Sequence, residues 1–544
     1  MNSTNMKRPQ LPGTTTNLNF ARATCEAHFY RWQPQPASVV TLSASSGIGG
    51  SFSNTSKERP VMVVNNDIIR ATVQKDKASH AGQFTMVLKA GKVGQDSDTF
   101  SKKDEIDYCE AVNPGDWVII YMGKNSGPNA KRSNIKMLGI VERVYLEEID
   151  NPANGAPTQT YVISGKDFGK VFETQLFFSP IMNSQTAETY YGADFLSNSL
   201  KAVAGAKQTQ SPDNIMKALV SFFYGGAFAQ SNKEHELWYV PPSLAAFFGI
   251  NIQTKTRPSF IDIFDYQSLV GLHGADDTVK GPLPGETVVR SLPTSGTIWQ
   301  IMSFYSNAAL NELFCDLSYT SGGIKPALVF RQLPYSVASG NLKIQTPVSS
   351  DQRTFLHSLR TTTFNSSLLK RRAVSKSDAE RVNHIVVVPR VDTPFPQAYV
   401  STINPSSVQQ FGLRSLTVET SYAATKQQAF DAYCSSCVNL LTEWFFNSEN
   451  YYSGSILVEG VDTHVPIGTN IQFEDSGELY HVEGYTHNYE QSAQGNISFT
   501  TDFSVIRGCS SKAGQLNRLE SIKPFTKVTK SILENIPKRV QDGR

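Results

Sequence analysis

Charge is scarce in this chain of 544 residues: Asp, Glu, Lys and Arg make up 18%, against the usual quarter. The formal net charge of +2 gives no concentrated basic field of the kind a nucleic-acid-binding domain carries, and no sequence-specific nucleic acid is expected as a partner. Cysteine is also sparse. Cys25, Cys109, Cys315, Cys434, Cys437 and Cys509 are spread without the spacing of a disulfide framework, so folding in a reducing cytoplasm is expected. Apolar runs of 18 or more residues are absent, which excludes a membrane-spanning helix. The opening MNSTNMKRPQLPGTTTN has no apolar centre and does not read as a signal peptide.

Catalytic constellations are missing as well. SGIGG at Ser46–Gly50 has the glycines of a phosphate loop but neither its Lys-Ser/Thr nor a following helix. EHELWYV at Glu234 lacks the second histidine of a zinc protease, and no Gly-x-Ser-x-Gly occurs. Glu474, Asp475 and Glu478 sit in the turn EDSG, where no pocket raises a carboxyl pKa. Cys434 and Cys437 have the spacing of a metal or redox pair, but both lie on the apolar stripe of a predicted helix, and no second pair completes a four-ligand set. His481, Glu483, Tyr485 and His487 alternate and so are expected to share one polar outer face of a strand. At about 3.3 Å per residue the two histidines stand ~20 Å apart, too far for one ion. No catalytic, cofactor-binding or metal-binding residue is assigned, no cofactor is expected, and the chain does not read as an enzyme.

What the sequence does contain is β pattern in two places. The expected organisation is β-rich α+β, with two similar small antiparallel β-barrels and a mixed α/β insertion between them. Residues 1–58, rich in Ser, Thr, Asn and Gly, read as an extended arm with one or two strands, ordered by contact. Residues 59–180 carry five or so short strands set off by turn signals such as NPG and DNPANGAPT, the pattern of a small closed barrel. Residues 181–395 are mixed. Helices are expected over 188–206 and 211–226, and a stronger one from Thr297, where Ile298, Met302, Tyr305, Leu310, Leu313, Phe314 and Leu317 follow a 3.6-residue period. The stretch 257–286 between them reads as irregular. Residues 396–508 hold a helix from about Ala424 and a second strand series, and 509–544 form a basic tail read as solvated.

The two series match in order. GQFTMVLKA at Gly82 resembles GSILVEG at Gly454, and the turn Pro114-Gly115 resembles Pro466 and Gly468. Val141-Glu142 is answered by Val482-Glu483, and Asp167-Phe168 by Asp502-Phe503. Loop lengths differ while the order of features holds, which points to an internal duplication.

Two such series flanking IWQIMSFYSNAALNELFCDLSY (Ile298–Tyr319) and KPALVFRQLPYS (from Lys325) resemble the baseplate hub proteins of contractile phage tails, relatives of the hub portion of type VI secretion spike proteins. The likeness covers roughly Arg59 to Gly508. It rests on a helix carrying Asn311–Phe314, then a strand ending in Arg331, Pro334 and Tyr335. These residues also have plain structural readings: Leu313 and Phe314 as core, Arg331 paired with Asp316 or Glu312. The resemblance implies a non-enzymatic homotrimer in the virion tail baseplate, assembled in the host cytoplasm. Its doubled module would form a ring of pseudo-sixfold symmetry, adapting a sixfold tail tube protein to a threefold central spike protein, with tape-measure and wedge proteins as further partners. The competing readings are a receptor- or glycan-binding tail protein using Tyr451 and Tyr452, and a tail-associated cell-wall hydrolase.

Overall fold

The computed structural model describes residues 23–32, 60–65, 67–89, 107–123, 134–149, 158–173, 175–177, 216, 220, 238–252, 258–269, 287–288, 295–306, 311–320, 323–332, 336–338, 341–348, 353–389, 400–420, 423–424, 438, 441–442, 444–446, 448–474, 478–492 and 496–510. Most of the expected arm, the helix expected over 188–206, Ser46–Gly50, Cys434, Cys437 and the basic tail beyond 510 lie outside these residues.

Sixteen strands carry the argument. The first seven are β1 (Thr24–Tyr30), β2 (Met62–Val64), β3 (Ile68–Asp76), β4 (Gln83–Lys89), β5 (Trp117–Gly123), β6 (Ile135–Ile149) and β7 (Thr158–Asp167). From the middle come β8 (Asp265–Leu269), β9 (Asn311–Thr320) and β10 (Gly323–Gln332). The last six are β11 (Thr361–Phe364), β12 (Leu369–Ser375), β13 (Tyr452–Glu459), β14 (Asn470–Phe473), β15 (Glu478–Gln491) and β16 (Ile497–Ser510).

Thirteen of these form one sheet, ordered β12-β13-β16-β15-β3-β4-β7-β6-β5-β1-β2, with β14 beside β15 and β11 beside β14. Only β11–β14 is parallel. The two series therefore join edge to edge, Gly484–Glu490 of β15 pairing with Arg70–Asp76 of β3, and the described residues form one large sheet in place of the two separate barrels expected. The physical reason is local. A barrel made from the first series alone would need the outer edge of β3 for closure, and that edge is taken by β15. No pairing among the described residues closes either series.

Alternation along the strands explains the layers. In β3, Ile68, Ala71 and Val73 are buried while Arg70 and Gln74 are exposed, and β4 buries Phe84, Met86 and Leu88. These residues share one apolar core with Val482, Tyr485, Phe499, Phe503 and Val505 of the second series, so the joint between the series is cored rather than merely hydrogen-bonded. In contrast, β5 (WVIIYMG) is buried on both faces. Its second face packs on Phe168, Phe172, Phe260, Ile301, Leu328 and Phe330, a second core that attaches the middle of the chain.

The helix expected from Thr297 is shorter than its periodicity suggested. It spans Ile298–Ser306, and Asn311–Phe314 stand in β9 instead. The strand is buried on both faces, Phe314 in the core of the sheet and Cys315 and Leu317 in the second core, so its apolar residues do not alternate, and the full-length pairing of β9 with β10 decides against the helix. The stretch 257–286 is not irregular throughout: it includes the helical turn Phe260–Ile263 and β8, which runs parallel to β10. The arm contributes β1, whose seven residues pair along β5.

Candidate assembly interface

The two strand series agree in register as well as in order. β6 and β15 each skip one residue against their partners: Val141 faces Gly165 and Arg143 faces Ser164, while Val482 faces Val505 and Gly484 faces Ser504. The skipped residue is a glutamate both times, Glu142 and Glu483, which accounts for the Val-Glu repeat as a conserved bulge geometry. β3 and β12 also share a bulge, between Ile68 and Arg70 and between Leu369 and Arg371. The turns agree bond for bond. Gly115 N donates to Val141 O and Val141 N to Asp116 O, both at 2.8 Å; Gly468 N donates to Val482 O at 2.8 Å and Val482 N to Thr469 O at 2.9 Å. Both glycines sit at positive φ, 94° and 71°, which favours glycine at each.

Register corrects one sequence match. Asp502 faces Thr486 and Leu457, whereas Val162 faces Tyr145 and Val87, so the counterpart of Asp502 is Val162 and not Asp167. The Asp-Phe repeat is coincidental.

The same bulge overturns the reading of His481, Glu483, Tyr485 and His487 as one polar outer face. His481 and His487 are fully buried and Tyr485 nearly so. An extra residue at Glu483 breaks the alternation, so Val482, rather than His481, shares the core face with Tyr485. His487 Nδ1 meets Thr501 Oγ1 at 2.8 Å. His481 sits in a polar cluster that also contains Lys77, Glu312, Arg331 and Glu483.

That cluster fastens the middle of the chain to the β3–β15 joint. The Lys77 ammonium pairs with Glu312 and, at 2.7 Å, with Glu483. Arg331 Nε donates to Glu312 Oε2 at 2.7 Å, and its second arm donates to Gly468 O at 2.7 Å. Of the two pairings open to Arg331, Glu312 is the one made. Asp316 instead accepts from Tyr485 Oη (3.0 Å) and from the Ile467 and Leu317 amides. Burial pushes the Glu312 carboxyl up, but Lys77 and Arg331 outweigh it and hold it at about 2. Glu483 goes the other way, raised by its burial. Close by, Lys75 is fully buried and pairs with Asp167 at 2.5 Å. Lys77 and Glu312 carry no local motif, and only the fold brings them to His481.

Past its bulge, β15 uses its second edge to hold β3. The equivalent stretch of β6, Arg143–Ile149, has no second strand beside it among the described residues, although the helical turn Tyr108–Ala111 packs against β6. Arg143, Leu146, Glu147 and Glu148 are exposed there. The counterpart of β3 is β12, the last strand at the opposite end of the sheet, with Lys370, Arg371, Ala373 and Ser375 exposed. Among the described residues one chain thus carries one joined pair of edges and, on the far half of β6 and on β12, the same two kinds of edge without a partner strand.

Of the other residues singled out in sequence, Glu478 pairs with Arg372 at 2.5 Å. Tyr451 and Tyr452 are half-buried, with the Arg507 guanidinium 5.0 Å from the Tyr451 ring, so they do not form an exposed aromatic platform.

No family model matches the sequence, and no curated protein matches it. Solved structures do. A tail protein from Neisseria meningitidis MC58 aligns at 11% identity over 89% of this chain and 96% of its own, with a TM-score of 0.42. The 43 kDa tail protein of prophage MuSo2 from Shewanella oneidensis aligns at 9% identity over 82% and 96%, with a TM-score of 0.39. The half-lidded Francisella PdpA-VgrG complex aligns at 8% identity, with a TM-score of 0.36; the match covers 89% of this chain but 58% of that one.

Proposed function

We propose that the chain is a structural, non-enzymatic hub of a contractile tail baseplate, and that three copies close into a ring by repeating between chains the joint that β15 and β3 make within one. The single observation that carries this reading is the pair of complementary edges that have no partner strand among the described residues. The joint Glu490–Arg70 to Gly484–Asp76, transferred to the equivalent strands, sets Ile149 opposite Arg371, Glu148 opposite Arg372, Leu146 opposite Val374 and Arg143 opposite Ser377. Glu148 then stands opposite Arg372, which Glu478 also holds within the chain, and an exposed leucine meets a valine. Unpaired sheet edges invite other chains, and closure into a ring removes both.

Eight strands, β12 to β6, would run continuously through each chain, so three chains give twenty-four around the ring. Each chain contributes two equivalent modules, and the ring then offers six similar faces from three subunits. The resemblance of Ile298–Tyr319 and Lys325–Ser336 to contractile-tail hubs supplies the partners that such a ring would join, a sixfold tube and a threefold spike. Localisation in the virion tail follows from that reading.

Light scattering on the purified chain tests it. The expected mass is three times the 60.0 kDa chain. A Glu148→Cys, Arg372→Cys chain, oxidised, is expected to give covalent species that stop at three chains. A chain monomeric at tens of micromolar by order of magnitude, where stable interfaces of this size associate, overturns the ring.

A further inference from the structure

The cluster at the joint of β3, β9 and β15 contains one ligand atom, His481 Nε2, that ion pairing leaves unexplained. Glu312 Oε1, Glu483 Oε1 and His481 Nε2 belong to three residues whose ligand atoms lie within 4.8 Å of one another. Two of them are held from behind. His481 Nδ1 donates to Asn470 Oδ1 at 3.0 Å, which fixes the proton on Nδ1 and leaves the lone pair of Nε2 pointing into the cluster. Arg331 takes Glu312 Oε2, while Oε1 faces the cluster and pairs with the Lys77 ammonium.

His481 is fully buried, and its Nε2 has no hydrogen-bond partner among the described residues; the nearest acidic oxygen, Glu483 Oε1, is 3.7 Å away. A buried acceptor left unmatched is costly, and neither the Lys77 ammonium nor the Arg331 guanidinium satisfies it here. A divalent cation would. One imidazole with two carboxylates is a ligand set for Zn2+ and related first-row ions, and outer partners such as Asn470 and Arg331 are what orient ligands in metal sites.

We propose that Glu312, His481 and Glu483 form a binding site for a divalent transition-metal ion, with the Lys77 ammonium as the competing cation on the same two carboxylates. Tetrahedral bonds near 2.0–2.1 Å need ligand atoms about 3.4 Å apart, so the set must contract by about an ångström. Glu483 is the arm that moves: its side chain is 26% exposed and opens the route from solvent. Lys77, with a side chain 12% exposed, stands at the same mouth and swings outward as the ion enters. The Arg331 charge stays and opposes the ion, which makes the site a modest binder. Bound metal ties β9 to β15, and with them the middle of the chain to the sheet. The site lies within one chain and is independent of the proposed ring.

Co2+ added to the full chain is the test. Visible d–d absorption is expected to saturate at one ion per chain and to be displaced by Zn2+. Lys77→Met should tighten binding by removing the competitor. Asn470→Ala should weaken it about 10- to 100-fold, the usual effect of losing an outer partner. His481→Gln and the partly exposed Glu483→Gln should each abolish the signal, and circular dichroism checks that both variants are folded. No absorption in either the unmodified chain or Lys77→Met overturns the proposal. So does full absorption in folded Glu483→Gln, which would put the ion elsewhere.

Discussion

Leu146→Asp probes the ring at a point where the chain itself has little at stake. Leu146 is 44% exposed, while its counterpart His487 is fully buried opposite Val73. In the ring Leu146 lies opposite Val374, and covering its exposed part is worth about 1 kcal/mol. A ring of three has three such junctions, so loss of this contact alone removes about 3 kcal/mol, roughly two orders of magnitude in trimer formation. An unpaired carboxylate in the same contact adds several kcal/mol more per junction. Sedimentation equilibrium should therefore show Leu146→Ala trimers dissociating on dilution and Leu146→Asp chains remaining monomeric. Thermal unfolding of the monomer should hardly change, because exposed positions contribute within about 0.5 kcal/mol. Leu413→Asp is the control: Leu413 is 57% exposed but belongs to neither β6 nor β12. A Leu146→Asp chain that trimerises normally, or a Leu413→Asp chain equally disrupted, refutes the edge pairing.

Three further outcomes are expected. Burial lowers Lys136, whose ammonium donates to Val461 O and Asp462 O, from 10.5 to about 7. Between about pH 7 and 10 the unfolded chain binds a proton that the folded chain does not, so stability rises with pH by up to about 1.4 kcal/mol per pH unit; urea titrations should show this rise and its loss in Lys136→Met. Gly468→Ala should cost more than Gly115→Ala in thermal unfolding. Both have positive φ, but a Cβ at 468 would come within 2.6 Å of Arg331 Nη2 and Phe314 Cζ, while one at 115 meets nothing within 4 Å. Strain alone accounts for about 1–3 kcal/mol, and the clash adds a similar amount. Lys75→Met should cost about 3–5 kcal/mol in chemical denaturation by leaving Asp167 buried and unpaired, with partial recovery when Asp167→Asn is added.

Sequence carried the repeat wherever a local backbone device needed a particular residue. Val141-Glu142 and Val482-Glu483 were legible because a bulge stands at each, and Gly115 and Gly468 because each turn requires positive φ. The Asp-Phe match failed because no such device lies under it. The run after Ser306 reads as helix because a strand buried on both faces, as β9 is, has no alternation to show, and only its pairing with β10 reveals it. Barrel closure and the burial of His481 were out of reach for a different reason. Both depend on contacts across the chain, such as Lys77 to Glu483 over 406 positions, for which no local pattern exists. In sequence Glu312 stands out only as a partner for Arg331; its meeting with His481 is a product of the fold.

The differences between the modules bear on function as much as their agreement. Asp76, Gln83, Ile135 and Asp167 lie at one end of the first module, and the connections there diverge most. β3–β4 is six residues long against 76 for β12–β13, β5–β6 is 11 against four, and the whole middle of the chain departs after Asp167. At the other end the β6–β7 and β15–β16 hairpins are eight and five residues long. The exception is β4–β5, 27 against ten, which starts at this end and returns to the middle of β6 through Asn113–Asp116. In the proposed ring, the end with short hairpins repeats nearly six times, while the end with the insertions repeats only three times. A sixfold partner therefore fits the first and a threefold partner the second, because an interface can be no more symmetric than the surfaces that form it. A single duplicated sheet with unequal loops is enough to change symmetry along an axis.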